Sequence, residues 1–279
     1  MFKTFGLNTF QAIVFNYITC VATGIVFLND SKSIELISWS STWVQIGLVL
    51  GGVFISTFYL MAITTQKFSM TVSSIAAKMS LVIPALMALF VLDIQSKQYS
   101  LFNYLGMILA LVAIFLSSYK EKNIDKPNFG ILLLLPLFVF ILGGVIDSTI
   151  NFTNFKYLTE ATEPLFPIVV FSSASILGII TLVYRGSRLN LKSAIGGVVL
   201  GMVNYFSIYF LLKTLTSFKN DGALVYPLLN VGIILATVFA SVLLFREKIS
   251  RLNLAGIAFA VLSILLLSYQ EIQAIINGN

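Results

Sequence analysis

The chain has 279 residues, 58% of them hydrophobic and only 10% charged, with a mean hydropathy of +0.97 and a formal charge of +6. This composition excludes an ordinary soluble domain. The Lys and Arg residues stand singly or in twos and threes between apolar runs, the pattern of membrane-protein loops rather than of a nucleic-acid surface, so no nucleic-acid partner is expected.

There is no histidine, and Cys20 is the single cysteine. That excludes a disulfide framework and any Cys/His metal site, and no cofactor or metal is expected. The first apolar run, at 10–28, is preceded by one positive charge, Lys3, and is too long for a cleavable signal. Further runs follow at 42–63, 70–92, 101–119, 130–153, 164–184, 192–213, 221–245 and 252–270, nine in all. Each is about 20 residues long, enough to cross a hydrocarbon core of about 30 Å as a helix. The loops are short and carry the charges, and none is long enough for a soluble domain. The fold class expected is an all-α polytopic membrane protein with the lipid bilayer as its surroundings.

The stretch 47–119 recurs without gaps as 197–269, pairing Gly47 with Gly197, Gly51 with Gly201, Tyr59 with Tyr209, Thr64 with Thr214, Ser100 with Ser250, Asn103 with Asn253 and Gly106 with Gly256. A period this long is not a solenoid repeat; in so apolar a chain it points to the internal duplication of many transporters. The first repeat is read as 1–122, with four helices, and the second as 123–279, with five. The mildly polar 120–128 (KEKNIDKPN) joins them. The 150-residue offset places a counterpart of the 130–153 helix before Met1, so the expectation is a ten-helix, 5+5 plan lacking its first helix. An odd number of helices per half makes the halves inverted in the membrane.

Loops at 1–9, 64–69, 120–129, 185–192 and 246–251 carry 11 Lys and Arg, against 5 on the other side. The positive-inside rule assigns the first set to the cytoplasm.

The run FREKISRLNLAG at 245–256, preceded by ALVYPLLNVGIILATVFASVLL from Ala223, resembles the end of the drug/metabolite transporter superfamily in its EamA-like branch. FNY at 15–17 and GGVID at 143–147 fit its ten-helix members. The first half departs from this pattern, the Glu247 motif being reduced to Asp93 and Lys97 in VLDIQSKQYS. The resemblance implies a multi-pass protein of the cytoplasmic (inner) membrane, monomeric or weakly homodimeric, moving a small-molecule metabolite by alternating access, probable export being its direction and no enzyme activity its corollary. Glu247 sits at a helix end beside Arg246 and Lys248, and its motif is read as a loop clamp and not as a site.

Lys78 lies about eight residues inside its run, where an ammonium costs on the order of 3 kcal/mol, so it should face a partner, a ligand or a water-filled path. Ser74 and Thr71 extend its polar stripe at i−4 and i−7. The competing reading is a lysine snorkelling to the 64–69 loop. Asp147, followed by Asn151 and Asn154 on one face, is the candidate for proton coupling together with Asn151, because a carboxylate in a low-dielectric cavity can take and release a proton. The levels of Lys78 and Asp147 differ by roughly 12 Å, too far for a direct salt bridge. Asn16, Asn204, Tyr205, Tyr226 and Asn230 complete the substrate-binding candidates, Thr237 and Ser241 continuing the face of the last two; inter-helix hydrogen bonding is the bland alternative for all of them. Pro227 is the leading candidate for a broken helix, with Pro84 bending the Lys78 helix. Gly47/Gly51 and Gly197/Gly201 have GxxxG spacing and should allow close helix contact. No Walker-type GxxxxGK[ST] is present, so the leading reading is a secondary transporter. A non-transporting intramembrane enzyme or structural membrane subunit is the alternative, though it lacks the clustered catalytic side chains an enzyme should show.

Overall fold

The structure, a computed structural model, describes residues 8–28, 31–67, 70–92, 99–118, 134–186, 189–245, 251–267, 269–270 and 273. The 120–128 connection, Asp93, Lys97, Glu247 and Ser250 lie outside the described residues, as do the side chains of Thr71, Ser74, Thr237, Ser241 and Asn253.

Every regular element among the described residues is helical: α1 (Thr9–Val26), a 3-10 helix (Ser31–Leu36), α2 (Thr42–Lys67), α3 (Met70–Met79), α4 (Val82–Phe90), α5 (Leu101–Ser118), α6 (Leu134–Lys156), α7 (Leu165–Tyr184), α8 (Leu191–Ser217), α9 (Gly222–Phe245) and α10 (Arg251–Leu267). Five of them, α1, α2, α6, α7 and α8, are long and apolar enough to cross a membrane. Large apolar side chains such as Ile195, Val199, Met202 and Val203 of α8 and Ile176 and Ile180 of α7 stand exposed. A surface of that kind suits acyl chains and not water.

Two adjustments of the sequence reading follow from proline. The run at 70–92 is two helices, interrupted at Ser80 and Leu81. Pro84 has no N–H to donate to the Ser80 carbonyl, and its ring would collide with that carbonyl in a continuous helix. The Ser80 carbonyl instead accepts the Ile83 N–H at 3.0 Å, while Ser80 Oγ donates to the Ala77 carbonyl at 2.6 Å. α9, by contrast, runs unbroken through Pro227. Pro227 lies in the second turn, so its missing donor removes one bond near a helix start, where Asp221 caps the free N–H of Leu224 at 3.2 Å.

The chain forms two compact units, Met1–Ala62 with Thr149–Ser217, and Ile63–Ser148 with Phe218–Asn279. Each therefore draws helices from both sequence repeats. In the first, α1 packs on α7 and α8. The duplicated glycines explain how the backbones approach so closely. A Cβ at Gly51 would overlap the Val170 carbonyl of α7, and one at Gly201 would overlap the Asn16 carbonyl of α1. The same pairing repeats one turn earlier, with Gly47 on Val169 and Gly197 on Phe15 and Ala12. Between lipid-solvated helices, association relies on this contact area and on hydrogen bonds across the interface. The starts of α1 and α8 are cross-linked in that way: Asn8 N–H donates to Ser193 Oγ at 2.8 Å, and Asn190 N–H to Gln11 Oε1 at 3.0 Å. Tyr17 stacks on Phe171 at 5.6 Å in the middle of the unit.

The second unit is built on α5 against α10, with α9 against α4, α5 and α10. Asn103 reaches back to the Ser100 N–H at 2.9 Å and donates across to the Leu267 carbonyl at 3.1 Å, and Ser263 Oγ donates to the Gly106 carbonyl at 2.8 Å. The duplicated Ser, Asn and Gly of the first repeat thus act as a helix cap and an inter-helix clamp.

Candidate functional site

In the second unit the polar groups gather where the interruption between α3 and α4 meets α6 and α9. Lys78 occupies the last turn of α3 and is half-buried; among the described residues no ion pair joins it to Asp147. Facing the interruption, α6 presents two glycines. A Cβ at Gly143 would come within 2.8 Å of Ser80 Oγ, and one at Gly144 would overlap Ile83. These contacts need bare backbone, which is why GG stands here. Asp147 follows Gly143 at i+4, so it lies on the same face of α6 about 6 Å further along. Its backbone carbonyl accepts the Tyr226 hydroxyl of α9 at 2.7 Å, and Asn230 Nδ2 donates to the Tyr226 carbonyl at 2.8 Å. Of the sequence candidates, the fold therefore brings Asp147, Tyr226 and Asn230 to one junction beside the helix that carries Lys78 and Ser74.

Asn16, Asn204, Tyr205 and Asn151 belong to the first unit. Asn204 Nδ2 lies 3.4 Å from Asn16 Oδ1, and Cys20 Sγ donates to the Gly201 carbonyl at 3.2 Å, one turn along the same α1–α8 contact. Asn151 is buried at 1% exposure. Asn154, expected to extend the Asp147 stripe, donates instead to α8 through Thr216 Oγ1 at 2.9 Å and the Leu212 carbonyl at 3.3 Å.

That bond leads to a cluster the sequence reading missed. Thr216 Oγ1 donates to Glu163 Oε1, and Glu163 Oε2 pairs with Lys213 Nζ at 3.0 Å, the carboxylate being only 3% exposed and the lysine 42%. Asp221, fully buried, accepts the Tyr99 hydroxyl besides capping α9. Glu163 stands just before an apolar run and Asp221 opens one, each next to a Pro or Gly; that is the position where a helix start favours negative charge, and it was the available signal.

Beside Glu163 the first unit has a pocket of about 190 Å³ lined by Phe27, Leu28, Ser33, Glu160, Ala161, Pro164, Tyr205 and Tyr209. The rings of Tyr205 and Tyr209 lie nearly parallel at 6.1 Å, and the Tyr205 hydroxyl donates to the Pro164 carbonyl at 3.4 Å. The second unit has an apolar crevice of about 200 Å³ between α4, α5 and α9, bounded by Leu81 and Val82 at the interruption and by Pro227.

Helices long enough to span a bilayer, apolar outside and joined inside by polar side chains, define a multi-pass helical membrane protein. A Haemophilus influenzae protein, described only as an uncharacterized protein, is 31% identical over 269 residues, which cover 94% of this chain and 89% of the relative, and the chain belongs to that protein's family. No protein-family model matches the chain. A solved crystal structure has the same fold, with a TM-score of 0.65 and 13% identity over 94% of this chain and 89% of that one.

Proposed function

We propose that this protein is a secondary transporter, an exporter of a small metabolite by alternating access, built on the inverted-repeat plan of the drug/metabolite transporter superfamily. In this reading the described helices form nine spans, α3 and α4 together making one discontinuous span, and the membrane is the cytoplasmic one.

The observation that carries the proposal is the helix interruption at Ser80 and Leu81, which this reading places at membrane depth, with Lys78 in the preceding turn and Gly143, Asp147 and Tyr226 beside it. Backbone that leaves its helical ladder inside a bilayer is tolerated where it is buried in protein or lines a water-filled cavity. Transporters place such interruptions at their binding sites, since the freed backbone groups and nearby side chains contact substrate or coupling ion. A purely structural subunit has no need of a lysine with no ion pair among the described residues at that position, given what an intramembrane ammonium costs. The exchange of partners between duplicated helices, α2 on α7 and α8 on α1, is further support, because a pseudo-two-fold relation between repeats produces such reciprocal contacts.

The test is flux of a metabolite panel into proteoliposomes, with and without a pH gradient. Saturable, protein-dependent flux of at least one compound is expected. Absence of flux across the panel, from protein that is monodisperse and thermally cooperative in the same lipid, would shift the assignment to a non-transporting membrane subunit.

A further inference from the structure

The pocket in the first unit has a composition that selects one ligand chemistry. Three aromatic residues line it, Phe27, Tyr205 and Tyr209, and the polar side chains among its described lining residues are those of Glu160, Ser33, Tyr205 and Tyr209. A carboxylate only accepts hydrogen bonds, and a hydroxyl can accept as well as donate. No Lys or Arg is among the described lining residues. Lys213, the cation of the adjoining cluster, is paired with Glu163 at 3.0 Å, so its charge is met on that side. An anion would find here a like charge. A cation would find a carboxylate, several acceptors and aromatic rings, which attract an ammonium placed within about 6 Å of their centroids.

The size narrows the class further. At about 190 Å³ the pocket falls below the roughly 300–1,000 Å³ of drug-sized ligand sites, so it suits a small head group. The carboxylate and the three hydroxyls can all accept, which favours an ammonium that still carries its three N–H donors.

We propose that this pocket is a binding site for the primary ammonium group of a small organic amine, with Glu160 as counter-ion and Tyr209 and Phe27 as ring contacts. The site stands on the first unit alone and does not require that the protein transports. A primary ammonium can arrive on a free amine or on an aminophospholipid head group, and the chemistry of recognition is the same.

The experiment is saturation-transfer NMR on the full-length protein in nanodiscs of phosphatidylglycerol, titrating butylammonium and its neutral counterpart 1-butanol. Butylammonium should bind saturably, with 1-butanol at least about tenfold weaker, a ratio within the range of a desolvated cation–π contact joined to a charge pair. Glu160→Gln, at an exposed position where folding is not at stake, should weaken butylammonium about tenfold and leave 1-butanol unchanged, and Tyr209→Leu should weaken it several-fold. Repeating the titration in phosphatidylethanolamine nanodiscs separates the sources: competition there assigns the site to the lipid head group, and unchanged affinity assigns it to a free amine. Equal binding of butylammonium and 1-butanol, or butylammonium binding unaffected by Glu160→Gln, overturns the proposal. Neither result depends on flux, so failure here and failure of the transport reading are distinguishable.

Discussion

At the scale of single residues, the asymmetry between repeats is the informative quantity. Lys78 corresponds at the 150-residue offset to the apolar Leu228, and on the transport reading it marks a requirement of one site and not of the fold. The structure places it in the last turn of α3, half-buried, two residues before the interruption. Lys78→Met keeps the length of the side chain and deletes its charge, so the protein should fold at least as stably as before. Transport of an anionic or zwitterionic substrate should fall about tenfold or more, a loss of roughly 1.4 kcal/mol. Normal transport by Lys78→Met, measured once a substrate has been found, would make this lysine a snorkelling one and move the pathway to Tyr226 and Asn230. Asp147 gives the second expectation. Its backbone is held by the Tyr226 hydroxyl, which leaves the carboxyl free to change protonation without loss of that bond. Asp147→Asn should abolish the dependence of uptake on a pH gradient while counterflow exchange of substrate persists. A gradient dependence equal to wild type would take Asp147 out of the coupling step.

At the scale of helices, much of the fold was legible in the sequence, because the bilayer demands about 20 apolar residues for each span and every run overlaps helix among the described residues, 70–92 as two helices, with five helices long and apolar enough to cross a membrane. The GxxxG pairs were equally legible, since small residues one turn apart have few other uses in so apolar a segment. Where the ladder would break was not. Pro84 and Pro227 look alike in the sequence, and the difference lies in how much helix precedes each one, fourteen-odd residues of run against a capped first turn, and in Ser80, whose hydroxyl competes for a backbone carbonyl. The Glu163–Lys213 pair was hidden for another reason. Both residues lie at the margins of runs, where charge reads as loop, and only the fold shows that Glu163 is buried against α8. The glycine contacts yield a test with its own control. Gly51→Ala puts a methyl group into the Val170 carbonyl, and should destabilise the protein by about 1–3 kcal/mol, the usual range for overpacking. Gly52→Ala meets only Leu177 Cδ1, at the ordinary contact distance of 3.5 Å, and should stay within about 0.5 kcal/mol of wild type. Thermal unfolding in one detergent compares the two, and equal midpoints would remove the close α2–α7 contact from the account.

For the whole molecule, the charge asymmetry of the loops predicts an orientation that can be checked independently of any substrate. The 11 Lys and Arg on one side against 5 on the other include three each at 120–129, 185–192 and 246–251, close to helix ends, where basic residues resist translocation most strongly. One of them, Arg185, has a structural use as well: it follows α7 and lies over the rings of Phe10 and Tyr59 at 5.1 and 5.6 Å, as a cation does at a membrane–water boundary lined with aromatics. Glu160, Ser33 and the ammonium pocket they line lie in loops of the opposite set, so on this count the pocket opens away from the cytoplasm. A reporter active only outside the cytoplasm, fused after Tyr269, should therefore be active, and the same reporter inserted at 185–192 should be silent. An accessibility label supplied from outside intact cells should react with Ser33→Cys in a Cys20→Ser background; Cys20 is fully buried, so its replacement removes little background and preserves a small side chain. The reverse pattern at all three positions would invert the orientation and put the amine pocket at the cytoplasmic face, where it would meet its ligand before export and not after.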